Sequence, residues 1–153
     1  MELLQEYMLP CLWAFIACVG FCVPFEIHGK GMVFTSLGGA LGWFVYLLFF
    51  KGFGGVALAA FFAGVTISLY SEIMARVRKC PSSGYLLIAF FPLVPGAGLY
   101  YTMEHFISGD NAAFQQAGYN TLAMAGGLAL GVLLVASVMR MPHNSRRTRK
   151  PAA

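Results

Sequence analysis

Long apolar runs alternate with short clusters of charge along this chain. Nineteen uncharged residues separate Glu6 from Glu26, twenty separate Lys30 from Lys51, and twenty more separate Lys51 from Glu72. Twenty-four lie between Lys79 and Glu104, and twenty-nine between Asp110 and Arg140. A helix needs roughly 20 mainly apolar residues to cross the hydrocarbon core of a bilayer. The pattern therefore predicts an all-α integral membrane protein with five transmembrane helices. The spans fall at about 5–25, 31–50, 54–72, 84–106 and 117–139, within one membrane domain over 1–140.

The fourth run is broken in its middle. FFPLVPGAGLYY, from Phe90 to Tyr101, places Pro92, Pro95, Gly96 and Gly98 in an otherwise apolar stretch. Proline removes a backbone donor and clashes with the preceding turn, and glycine is the next-poorest helix former. A helix interrupted at Pro92–Gly96 is expected.

Basic residues decide whether that segment crosses. With five crossings and the N-terminus outside, Lys30, Arg76, Arg78, Lys79 and the tail residues Arg140, Arg146, Arg147, Arg149 and Lys150 all face the cytoplasm. Only Lys51 falls outside. If the broken segment did not cross, the third loop and the tail would lie on opposite faces and their charges would conflict. The charge pattern thus predicts a discontinuous crossing helix. The tail, 141–153, is basic and is expected to be a disordered cytoplasmic stop-transfer segment with weak attraction to anionic lipid.

Composition narrows the class further. The chain has 153 residues, 59% hydrophobic and 10% charged, with a mean hydropathy of +0.72. Soluble domains carry about 25% charged residues, which excludes that class. MELLQEYM at the start lacks the basic region of a signal peptide, so the first helix is expected to remain. Cys11, Cys18, Cys22 and Cys80 form no disulfide framework, and the first three sit at helical spacings suited to packing. His28, His105 and His143 have no metal-ligand spacing, and no metal or cofactor motif is present. GxSxG, HExxH and Walker patterns are absent and Asp110 is the only aspartate, so an enzyme is not expected. The short basic tail gives no reason to expect nucleic-acid binding.

The break itself has two readings. A helix interrupted at membrane depth exposes backbone groups that cost several kcal/mol each if unsatisfied, and protein or a water-filled cavity must surround them. It is either a structural kink or a transporter-type site, in which the second half-helix presents free N–H groups to a carboxylate. On the second reading Pro92, Pro95, Gly96 and Gly98 form the site. Tyr100, one turn on, helps to line it.

Small residues four apart recur in three spans: Gly38 and Gly42; Ala60, Gly64 and Ser68; Ala123, Gly127 and Gly131. They let helix backbones approach closely, either within one bundle or against a partner subunit. Glu72 is followed at i+4 by Arg76, the favourable order for an ion pair. That pair is either an interfacial tie or a coupling group. Trp43 and isolated tyrosines are read as interfacial belt residues.

These motifs converge on a resemblance. LGGALGWFVY (Leu37 to Tyr46), SEIMAR (Ser71 to Arg76), FPLVPGAGLYYTM (Phe91 to Met103), ISGD (Ile107 to Asp110) and a small-residue fifth span resemble the small, five-helix component of the threonine/serine exporter (ThrE) family. The first loop, FEIHGKG (Phe25 to Gly31), departs from the family pattern, and Glu26 and His28 there are local features. The resemblance implies a secondary exporter of small amino acids or related carboxylates, driven by an ion gradient across the plasma membrane. It also implies a larger five-helix partner subunit. The competing reading is a non-transporting membrane scaffold or assembly subunit, in which breaks and glycines serve packing alone.

Overall fold

The structure, a computed structural model, describes residues 2–79 and 81–147. All regular elements among the described residues are helical: α1 (Glu2–Cys22), α2 (Lys30–Phe53), α3 (Val56–Arg78), α4 (Ser82–Phe90), α5 (Gly96–Ile107) and α6 (Asn111–Arg147). A 3-10 turn at Phe91–Leu93 follows α4. Four helices are long and apolar enough to cross a membrane, over Gln5–Cys22, Lys30–Phe53, Val56–Arg78 and Asn111–Met139. Ser82–Leu93 and Gly96–Ile107 pass that test only as a pair, bent by 42°, so the crossings number five if the pair is one span. Six helices thus stand where the apolar runs suggested five, because the break divides the fourth run into α4 and α5.

Helix ends follow local chemistry. Gly54, at φ 68°, closes α2 by donating its N–H to the Phe50 carbonyl at 2.9 Å. That left-handed conformation costs glycine little. The third helix runs past the expected end at 72 to Arg78, since neither glycine nor proline occurs between Gly64 and Pro81. The last helix likewise continues to Arg147, so 141–147 is helical where the composition suggested a disordered tail. An established helix propagates by one hydrogen bond per residue fixed, without a new nucleus. Cys80 and the remaining tail, 148–153, lie outside the described residues.

α3 is the centre of the bundle, packed on α2, α4 and α6. Ala60, Ala63 and Ile67 of α3 are fully buried with Ala89 and Leu93 of the broken segment and Leu128 of α6. Glycines make these approaches possible. A Cβ on Gly64 would lie 2.8 Å from the Leu128 carbonyl oxygen, one on Gly127 would strike the Ala57 carbonyl, and one on Gly131 the Phe61 carbonyl. Those are backbone atoms that cannot swing aside, so the α3–α6 seam requires glycine. Gly38 and Gly42 serve a second seam: Cβ atoms there would meet Tyr70 and Ile67 of α3. The five glycines singled out from the sequence therefore pack within this chain. At one end of α1 and α2, Lys51 Nζ lies 2.8 Å from Glu6 Oε1 and 4.4 Å from the centre of the Tyr7 ring.

Candidate functional site

The break can be followed carbonyl by carbonyl. In a continuous helix the N–H of residue 92 would bond the Ile88 carbonyl, and that of residue 95 the Phe91 carbonyl. Both positions are proline, so both donors are missing. The structure replaces them. Ile88 O accepts the Phe91 N–H and, from α1, the Cys18 thiol at 3.4 Å. Phe91 O accepts the Val94 N–H at 3.2 Å. Stacking of Phe21 on Phe91, with ring centres 4.0 Å apart, pins the turn against α1.

The start of α5 is not treated the same way. Gly96 N–H bonds Val94 O at 2.7 Å and Leu99 N–H bonds Pro95 O at 3.1 Å. The N–H groups of Ala97 and Gly98 meet no acceptor among the described residues, and no side chain caps the helix. The break thus satisfies the carbonyls that its prolines orphan and leaves free the donors of the half-helix that follows.

Ala97 and Gly98 form part of the wall of a cavity of about 460 Å³. Pro92, Val94 and Pro95 close it on the side of the break. Trp43, Tyr46 and Phe50 of α2 line another wall, and Tyr101 projects from α5. Ala117, Asn120, Thr121 and Met124 of α6, with Val56 of α3, complete it. None of these residues is charged. Polar groups among these residues are the hydroxyls of Tyr46, Tyr101 and Thr121, the Asn120 amide and the two free N–H groups. Thr121 Oγ1 donates to Ala117 O at 2.7 Å and keeps its lone pairs. Asn120 Oδ1 accepts from Gln116 Nε2 at 3.5 Å, which leaves the Asn120 amide donors available. Trp43 Nε1 is buried with no hydrogen-bond partner.

Of the residues chosen from the sequence, Pro92, Pro95 and Gly98 meet at this cavity. Gly96 and Tyr100 do not. Gly96 has nothing within 4 Å of where a Cβ would stand, and it faces away from the cavity wall. Tyr100, 65% exposed, lines a separate shallow groove with Met103, Glu104, Ile107 and Ser108. The rotation of α5 about its axis decides this, and Gly98 sets that rotation by sitting against Thr121 of α6. Tyr101 takes the place expected for Tyr100. Trp43 is not a belt residue: it lies inside α2 and packs on the core cluster of Leu93, Leu128 and Ile67. Its spacing with Tyr46 and Phe50, at i, i+3 and i+7, is the signal that would have marked one helical face.

Glu72 and Arg76 form no ion pair. Arg76 turns to α6 instead, where its Nη2 lies 3.4 Å from Met139 Sδ. Both residues sit outside the cavity wall. The stem of an arginine covers neighbouring apolar surface readily, and an exposed i, i+4 pair is too weak to hold it back.

A family model described as Threonine/Serine exporter, ThrE, matches residues 10–138, a region that holds the whole break and every cavity residue. The chain belongs to the threonine/serine exporter family. No curated protein and no solved structure matches it.

Proposed function

From that membership we propose that the chain is the small membrane subunit of a secondary exporter of small amino acids, threonine or serine, or of related carboxylates. The α4–α5 pair is its fourth crossing, giving five in all. The N-terminus lies outside and α6 ends in the cytoplasm, in the plasma membrane, as the nine-to-one division of basic residues favours. A larger five-helix subunit supplies the facing wall of the cavity.

One observation carries the reading: Ala97 and Gly98, whose N–H groups have no partner at the positive end of α5, line a cavity with no charged residue in its wall. A helix N-terminus with free donors favours a carboxylate. Hydrogen bonds to a charged group contribute about 1.5–3 kcal/mol each. The solute carboxylate binds there while Asn120 and Thr121 meet its other polar atoms. An ion gradient drives release.

The test is uptake of labelled threonine, serine and dicarboxylates into inverted vesicles carrying this chain with its partner, the partner alone, or neither. Uptake that requires this chain and collapses with the ion gradient supports the reading. Full uptake by the partner alone would remove this chain from the transport path.

A further inference from the structure

We propose that the aromatic row Trp43, Tyr46 and Phe50 on α2, which lines the same cavity as Tyr101 of α5, is an ammonium subsite. The assignment rests on the reading of that cavity as the site of a carboxylate solute.

An amino acid brings two charges, separated by one carbon atom. The free N–H groups of Ala97 and Gly98 answer the negative one. No aspartate or glutamate lines the cavity to answer the positive one. A buried, uncompensated ammonium is strongly disfavoured. What the cavity does offer is aromatic rings along one wall. The Trp43 and Tyr46 ring centres lie 5.6 Å apart, and Tyr46 and Phe50 stack at 5.7 Å with planes 10° apart. These rings stand on one face of α2, and the half-helix start forms another wall of the cavity. An ammonium within about 6 Å of a ring centroid is held by the ring quadrupole, most strongly where water is excluded. The cavity therefore has donors that accept an anion at α5 and rings that accept a cation at α2.

Threonine and 3-hydroxybutyrate differ only in the ammonium, so the pair isolates it. Equilibrium binding of both is measured on the purified complex of this chain with its partner. Three variants are compared with wild type: Tyr46→Leu and Phe50→Leu, which remove a ring, and Tyr46→Phe, which keeps it. Each is checked for assembly by size-exclusion chromatography. We expect threonine affinity to fall about tenfold in either leucine variant, with 3-hydroxybutyrate affinity unchanged and threonine binding retained in Tyr46→Phe. Unchanged threonine binding in the assembled leucine variants overturns the subsite. So does an equal loss of both ligands, which would make the rings part of the cavity's shape only. Ala97→Pro separates the two claims, since it deletes a carboxylate donor and no ring. If it leaves both ligands unaffected while the leucine variants still weaken threonine, the ammonium subsite stands and the carboxylate reading fails. If neither ligand binds wild type, both fail together.

Discussion

The two halves of the broken helix are built on opposite terms. α4 and the turn after it are part of the core: Tyr85, Ile88, Ala89 and Leu93 are buried, and the segment touches α1, α2 and α3. α5 has no buried residue and packs chiefly on α6. Leu99, Tyr100, Met103 and Ile107 are largely exposed, and the Phe106 ring meets Phe114 of α6, with ring centres 5.5 Å apart. The polar accounts differ in the same sense. On the α4 side a thiol from α1 and the turn's own N–H groups meet the orphaned carbonyls. On the α5 side two N–H groups are left open at a cavity. Any helix start leaves its first N–H groups without intrahelical acceptors, and what marks this one is that Ala97 and Gly98 line a cavity. The first half is a fixed floor, and the second is a lightly held wall with donors to offer.

The largest expected effect tests the fixed half. Leu93→Ala should destabilise the protein by about 2–5 kcal/mol, because it empties a fully enclosed position among Ile67, Ala89 and Leu128. Leu99→Ala, the same change on α5, should stay within about 0.5 kcal/mol. Denaturation of the two variants in detergent or bicelles compares them directly, and equal losses would erase the distinction between the halves.

A smaller contrast lies within α5. Gly98→Leu drives a side chain into Thr121 and should cost about 1–3 kcal/mol while prising α5 from α6. Gly96→Leu enters open space and should change stability by no more than about 0.5 kcal/mol. Unfolding midpoints of both variants check the rotation of α5. A severe effect at Gly96 would mean that α5 presents a different face from the one described.

Smaller again is the thiol. Cys18→Ala should cost about 1 kcal/mol, since Ile88 O keeps the Phe91 N–H and loses only the weaker bond. Cys18→Leu is a different matter: the larger side chain would press on Gly39, which already lies against the sulfur, so a loss of several times that size is expected. The same denaturation assay orders the two, and a neutral Cys18→Leu would show that α1 is not clamped to the break.

Much of this was legible in the sequence, and the limits have physical causes. The spacing of charges located the helices because each span must be long enough and uncharged. The prolines located the break because they delete donors at known positions. The glycine seams could be read from four-residue spacing, since backbones that touch leave no room for a Cβ. What could not be read was rotation and partnership. Tyr100 and Tyr101 are adjacent, and only the contact between Gly98 and Thr121 decides which of them reaches the cavity. The tie from Cys18 to Ile88 joins residues seventy positions apart, with no local signature. The Glu72–Arg76 spacing suited an ion pair, but arginine had a better surface to cover on α6. Trp43 looked like a belt residue because tryptophan so often is, while its helical register with Tyr46 and Phe50 placed it on the cavity-lining face of α2.

The central claim is that the free donors at the start of α5 hold a solute carboxylate. Ala97→Pro tests it most directly. Proline is tolerated in the first turn of a helix, and the N–H it deletes has no partner in the structure. Equilibrium binding of 3-hydroxybutyrate to the assembled complex isolates the carboxylate from any ammonium. The account predicts an affinity loss of about tenfold or more with an unchanged unfolding midpoint. Wild-type affinity in an assembled Ala97→Pro complex would contradict it.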